Sequence, residues 1–543
     1  MSLDWIRKSA PVPGSQRISP APASLIHQAL SSGSGGDRIL PLSLLVYALA
    51  AGFFSFAQRD YINADFVAYA TIAHRYLAGS PAAISAAWSP LFSWLLMPWL
   101  ALGVPDPLAG RLVLVLFGAA YIVAVSKFSA RIWRTESRFT RGGMLAAAVL
   151  QATLWSTYLL DPDLIAAFFL FVYLTLTAGS VPARSVGAGV AAGFAFLSKA
   201  YLLPFVLVHL IATLAFRRTP LRAVAGALAG LLMVAGPWIG TLSRHYRSFT
   251  ISSAGSSNHA NLAPDVYGQD LLWKPGLVAD YIVDPKLGPD WSPLQDGAHF
   301  QHQLALLLKN SVDFLSAMSG WLSFLVVSLF IYWRQGPPEG ATQPALDQSR
   351  LLWLSATGLV YLGGYLLVQV QPRYLEPFLV PLCCVIGLSF LSCSAVSKLG
   401  SRVAIILIFP FALQDGFRLW QVAAVHPQSV ALPHFRDLAT KIQQMSAVST
   451  PMACNRWHDG LYLAYAAGQV ASYLGSPKAE TLSKFDEQLN TCGALCYLRW
   501  TDRRHAGARV VKPDAFVPSK PWKKFSTFED TPGAVVELYR KMP

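Results

Sequence analysis

Apolar runs of about twenty residues recur along this chain, with few charges inside them. That is the length a helix needs to cross a hydrocarbon core. In lipid every backbone polar group must be satisfied within the fold, so runs of this kind commit the chain to a bundle of helices. Spans are expected at about 39–56, 107–127, 142–160, 163–180, 186–201, 202–216, 223–242, 312–333, 351–370, 374–396 and 402–420. Only 13% of the residues are charged, about half the share of a soluble protein. The expected fold is mainly α: a polytopic transmembrane helical core of about eleven spans plus interfacial helices. A small C-terminal α/β domain follows it. Internal repeats are not evident, which gives no support to an inverted-repeat transporter.

Charge orients the spans. Lys127, Arg131, Arg134, Arg138 and Arg141 share one link; Arg217, Arg218 and Arg222 share another. Arg334, Arg350, Lys398 and Arg402 fall in two more. Such links belong in the cytoplasm. The net charge of +14 then reads as cytoplasmic Lys and Arg in contact with anionic membrane lipids, with no nucleic-acid partner. Counting works if residues 88–104 lie in the outer interface, a level that suits Trp88, Trp94 and Trp99. Three regions follow. Residues 1–38 form a polar, disordered cytoplasmic N-terminus with no cleavable signal peptide. Residues 39–420 form the membrane domain, with outer loops 57–106 and 242–311. Residues 421–543 form a soluble α/β domain outside the cytoplasm, with strands expected at 451–456, 469–474 and 494–500.

This topology gathers the polar residues that lack a structural excuse on one face. Asp65 sits in the first turn of an expected helix over 63–79, with Asn63 as N-cap and Gly79 as stop. An acid beside an apolar helix is a functional candidate, although the helix dipole alone also favours one there. Asp161 and Asp163 flank Pro162, an ordinary turn that could also supply a general base or a metal ligand. Lys199 breaks an apolar run at its outer end, where snorkelling or a phosphate partner would explain it. Arg373 either pairs locally with Glu376 or anchors a phosphate. Arg244 and His245 open the large loop as interfacial anchors or as more of an anion site. Tyr69, His74, Tyr201, His245 and Tyr374 are expected to line a substrate pocket.

The histidines form no recognisable metal signature; His299 and His302 could share a helical face, but a surface role is favoured. Cys383, Cys384 and Cys393 read as packing residues. Cys454, Cys492 and Cys496 could form a disulfide outside the cytoplasm, with the pairing left open.

Together these segments resemble the GT-C glycosyltransferases, in their protein O-mannosyltransferase-like branch, which includes transferases of aminoarabinose or galacturonic acid onto lipid A and core. Asp65, Tyr69 and Ala70 resemble the first-loop motif, and Trp88-Ser89-Pro90-Leu91-Phe92 the element after it. Asp161-Pro162-Asp163-Leu164 resembles the second acidic element, and Phe196-Leu197-Ser198-Lys199-Ala200 the family's Leu-Thr-Lys-Gly. Gly236-Pro237-Trp238 and Arg373-Tyr374-Leu375-Glu376-Pro377 match in place and order. Phe66 stands where a second acid is usual, and Ala200 where Gly is usual. The resemblance covers about residues 40–400. It implies a bacterial inner-membrane enzyme acting at the periplasmic face. A single sugar would pass, with inversion, from a polyprenyl-phosphate sugar donor to an envelope lipid, glycan or protein acceptor. Asp65 would be the base, with Asp163 and Asp161 as partners for acceptor or ion. Lys199, Arg373 and Arg244 would hold the donor phosphate. A divalent metal ion assists some members, and no other cofactor is implied. The alternatives are a lipid-linked glycan ligase or polymerase, and a flippase. A flippase predicts charges strung through mid-span rather than gathered at one face.

Overall fold

The computed structural model describes residues 38–133, 138–178, 184–215, 220–260, 292–335, 346–392, 416–418, 420, 432–445, 451–468, 470–477, 481–502, 516–531 and 534–542. The expected disordered N-terminus (residues 1–37 of it) and nearly all of the 402–420 span lie outside them.

Thirteen described helices precede the tail. They are α1 (Ile39–Ala57), α2 (Ala64–Leu77), α3 (Pro90–Ala101), α4 (Asp106–Ile132), α5 (Arg138–Thr157), α6 (Asp163–Thr177), α7 (Ser185–Ser198), α8 (Leu202–Ala215), α9 (Leu221–His245), α10 (Ala254–Ala260), α11 (Gly297–Gln335), α12 (Gln348–Leu367) and α13 (Pro372–Ser392). Six of them, α1, α4, α9, α11, α12 and α13, are long and apolar enough to cross a membrane. The chain is a multi-pass membrane protein. Helix α3 has 12 residues, about 18 Å, and falls short of the hydrocarbon thickness. Most of the loop expected over 242–311 that is described is helical: α10 lies within it, and α11 begins at Gly297 rather than near 312. Asp296 starts α11 by accepting the His299 N–H at 2.8 Å. At 39 residues α11 is about 58 Å long, roughly twice the hydrocarbon core.

Helix α4 packs between α5 and α6, and α13 against α5 and α11. The tightest crossing is α7 on α9. A Cβ on Gly189 would sit 1.9 Å from the Ala227 carbonyl oxygen, and one on Gly230 would sit 2.2 Å from that of Val186. Only glycine permits this backbone approach, the usual way membrane helices gain contact without a hydrophobic driving force. It fixes the first turns of α7 against α9, and Lys199 follows the other end of α7.

The tail contains α14 (Leu432–Met445), β1 (Met452–Cys454), α15 (Trp457–Ala466), α16 (Leu482–Thr491), β2 (Cys496–Asp502), β3 (Trp522–Thr531) and β4 (Ala534–Lys541). The sheet order is β1-β2-β4-β3, with β1 parallel to β2 and the other pairs antiparallel. Alternation divides its faces. Leu498, Trp500, Val536 and Leu538 join the core that includes α14 and α15, whereas Tyr497 and Tyr539 pack on Phe485 and Leu489 of α16. The strand expected at 469–474 is instead a short 3-10 turn, Val470–Ser472, with one bridge from Tyr473 to Met452. The hairpin β3–β4 was not expected. Cys454, Cys492 and Cys496 are buried, and no disulfide joins them.

Candidate active site

Helix α2 begins where Asn63 and Asp65 expect it to, but Asn63 does not cap it with its side chain. Its Oδ1 accepts instead the Leu160 N–H at 3.0 Å. That bond ties the start of α2 to the turn carrying Asp161. There Asp161 Oδ1 accepts the Asp163 N–H at 3.1 Å, an Asx turn that aims both carboxylates. Lys199 follows the last residue of α7 in extended conformation (φ −152°, ψ 115°), so its side chain leaves the helix axis. Arg373 is the second residue of α13.

These segments converge. Arg373 Nη1 donates to Asp65 Oδ2 at 2.6 Å and to Asp161 Oδ2 at 3.2 Å. Its Nε donates to Gln371 Oε1 at 2.7 Å and lies 3.9 Å from Asp163 Oδ2. Its Nη2 donates to Tyr374 Oη at 3.1 Å. Lys199 Nζ donates to Asp163 Oδ1 and stands 3.5 Å from the Tyr374 ring centre, a cation–π contact. The local pair of Arg373 with Glu376 does not form; Glu376 takes Arg418 at 2.9 Å instead. Residues 373 and 376 are both on α13, but the three aspartates outcompete a single glutamate for Arg373.

Three carboxylates thus face two cations. Asp161 and Asp163 side chains are 3% and 5% exposed, and Asp65 is 31% exposed. Burial, with the Asp163 charge beside it, pushes the Asp161 carboxyl up to about 7, against the pull of Arg373 and Lys199. Asp161 therefore shares a proton with solvent near neutrality.

The cluster lines a cleft of about 750 Å³. Asp65, Tyr69, Asp161, Asp163, Lys199, Tyr201, Arg373 and Tyr374 all border it. Tyr201 is set by donating to the Tyr361 carbonyl at 2.5 Å, and Tyr69 packs edge-on against Trp88 at 5.1 Å. Apolar Leu203, Leu207 and Val368 extend the wall, and Ser257 and Asn258 of α10 border it.

One expected phosphate ligand, Arg244, and two expected pocket residues, His245 and His74, lie elsewhere. Arg244 and His245 end α9 exposed and do not line the cleft. His74 is nine residues beyond Asp65, about 13 Å along α2 and on the opposite face. It pairs with Asp106 at 3.0 Å, and Asp106 also accepts from Tyr465 of α15. These contacts fasten the tail to the membrane domain, with the Leu432 N–H to Asp60 oxygen bond at 2.8 Å.

The sequence reading missed Gln371 and Trp88 as wall groups, and His458. The Trp88 indole N–H borders the cleft with no partner among the described residues. Burial lowers the His458 pKa and Asp65 offsets part of that, so the tail reaches the neighbourhood of Asp65. Nothing in a helix start such as Trp457-His458-Asp459 signals this, because the contact depends on docking. Among the described residues no group of three or more His, Cys, Asp or Glu side chains is arranged to hold a metal ion. Each carboxylate of the cluster is already matched by Arg or Lys.

No protein-family model matches the chain, and no curated protein matches it. Solved structures do resemble it. ArnT from Cupriavidus metallidurans bound to undecaprenyl phosphate superposes with a TM-score of 0.51 at 14% identity, over 93% of this chain and 98% of that one. The apo oligosaccharyltransferase of Archaeoglobus fulgidus gives 0.50 at 12% identity, over 87% and 70%. A mutant mycobacterial arabinofuranosyltransferase AftD gives 0.50 at 15% identity, over 94% of this chain and 42% of that one. All three are GT-C superfamily membrane glycosyltransferases. Identities this low establish the fold alone: this chain has a GT-C-type fold.

Proposed function

We propose that the chain is a glycosyltransferase moving one sugar from a polyprenyl-phosphate donor to a hydroxyl-bearing acceptor at the periplasmic face. The observation that carries this reading is the cleft in which Asp65 is the most accessible of three carboxylates beside Lys199 and Arg373. ArnT, whose structure resembles this one, is described bound to undecaprenyl phosphate. In the reaction the acceptor oxygen bonds to the anomeric carbon as the carbon–oxygen bond to phosphate breaks. The bonding pair leaves on the phosphate, facing Lys199 and Arg373, and Asp65 takes the hydroxyl proton. A single displacement inverts the anomeric centre. Phosphate is a competent leaving group, so no protonating acid is required. The apolar wall of Leu203 and Leu207 suits the start of an isoprenoid chain. Arg244, His245 and His74 have no part in this scheme.

Purified chain in nanodiscs, offered undecaprenyl-monophosphate sugars and undecaprenyl-diphosphate glycans, tests the donor class. Turnover of the monophosphate donors is expected; turnover confined to the diphosphates would make the chain a ligase. Asp65→Asn should lower transfer by about 10²–10⁴-fold, and full activity in that variant would remove Asp65 as base. The orientation is tested by single cysteines in the 127–141 link, expected to resist membrane-impermeant maleimide in intact cells. Mass spectrometry of envelope lipids and glycans with and without the protein would name sugar and acceptor.

A further inference from the structure

We infer that Asp65 and the donor phosphate compete for the Arg373 guanidinium, so that Arg373 is a positioning residue that holds the base paired until the phosphate displaces it. This rests on the donor class proposed above.

Four of the five guanidinium N–H groups have partners among the described residues: Nη1 donates to Asp65 and Asp161, Nη2 to Tyr374 and Nε to Gln371. Lys199 is likewise taken by Asp163, over the Tyr374 ring. A phosphate arriving in the cleft therefore finds no unpaired cation in this cluster. It also adds negative charge to a site where three carboxylates already face two cations. A proton on Asp161 can relieve part of that charge, but a phosphate oxygen still needs an Arg373 N–H, so one of the carboxylates held by the cations must give way.

Anchoring decides which. Asp161 is 3% exposed, and its Oδ1 is held by the Asp163 N–H. Asp163 is 5% exposed and held by Lys199. Asp65 is 31% exposed and borders the cleft, and among the described residues its side chain accepts one hydrogen bond, at Oδ2 from Arg373 Nη1. It is the least anchored of the three. The exchange moves Arg373 Nη1 from Asp65 Oδ2 to a phosphate oxygen, and no covalent bond changes. Asp65 then faces the cleft without its counter-charge. A carboxylate freed from a guanidinium is a stronger proton acceptor. Donor binding thus arms the base, and an acceptor alone meets a base still occupied.

The test is a titration of the full-length chain in nanodiscs with undecaprenyl phosphate. Asp65→Asn removes the competitor and should bind the lipid about tenfold more tightly than wild type. In transfer assays its donor KM should fall along with kcat, a split that a merely structural role would not produce. Asp65→Ser should tighten binding as well, which covers the case in which the Asn variant does not fold. Asp65→Glu, which keeps the competing charge, should bind as wild type does. Equal or weaker binding by the Asn and Ser variants, with wild type binding normally, would overturn the exchange alone. No binding of undecaprenyl phosphate by wild type would overturn the donor reading and the exchange with it.

Discussion

Helix α2 carries two acid–base clusters, one at each end. At its start Asp65 joins Asp161, Asp163, Lys199 and Arg373, largely enclosed and bordering a cleft. At its other end His74 meets Asp106 and Tyr465, with His74 half exposed and Asp106 22% exposed. Both clusters set carboxylates against basic groups, and their surroundings differ. Enclosure makes the first cluster expensive to assemble and sensitive to any added charge. Exposure makes the second a fastening whose Coulomb energy is mostly screened. Proximity of charges therefore does not mark a site; charges that are compensated, buried and open to a cavity do.

The comparison can be broken most severely at Arg373. Arg373→Met leaves three aspartates with one cation and should cost about 3–5 kcal/mol of stability along with all transfer. Thermal unfolding in detergent measures it, and a shift no larger than that of a surface control would mean the cluster is not held by this residue. A smaller effect is expected in a double-mutant cycle of Lys199→Met with Asp163→Asn. Each single change strands a buried partner, so the double variant should recover roughly 1–3 kcal/mol relative to the sum. Additive losses would show that the pair is not coupled.

Acidity sharpens the contrast further. Asp161 sits at about 7, well above an ordinary aspartate. A carboxyl raised in the folded state stabilises it fully below its unfolded value, and that contribution fades as pH rises through about 7. Ionised Asp161 also repels an incoming phosphate. Undecaprenyl phosphate affinity should fall by up to about tenfold as pH goes from 6 to 8, and the fall should flatten in Asp161→Asn. A flat profile in wild type would place the shared proton elsewhere.

The smallest effects belong to the other end of α2. His74→Ala and Tyr465→Phe should each cost less than about 1 kcal/mol and leave kcat near wild type. The hydrogen bond that His74 donates to Asp106 raises its pKa above the ordinary 6.5. Its contribution to docking is therefore complete below 6.5 and lost as pH climbs through the raised value. Hydrogen exchange in Trp457–Ala466 should speed up over that range in wild type and show no such step in His74→Ala.

Much of this was legible in the chain itself. The apolar runs located most of the described membrane helices to within about five residues, because length and hydropathy act locally, whereas α11 starts 15 residues before its expected span. Asp65, Asp161, Asp163, Lys199 and Arg373 stood out because each is costly where it lies, and cost is visible in sequence. His74 was misplaced because the choice of helix face depends on what docks there. Asn63 was read as a cap because its bond to Leu160 crosses 97 residues. A local pair of Glu376 with Arg373 stood as an alternative because its actual partner, Arg418, is 42 residues away. The strand lost at 469–474 and the hairpin missed at its end both belong to short tail segments, where tertiary context overrides propensity.

The separation of Asp65 from Arg373 along the chain has a consequence for biogenesis. Asp163 meets Lys199 after only 36 residues, so that pair can form soon after both helices leave the ribosome. Asp65 waits 308 residues for its partner, roughly 15–60 s of synthesis. During that interval α2 carries an acid without the guanidinium that pairs with it. Insertion of α13 is then the step that locks the earliest and the latest parts of the membrane domain together, and a chain truncated before Arg373 would display its aspartates without completing the cluster.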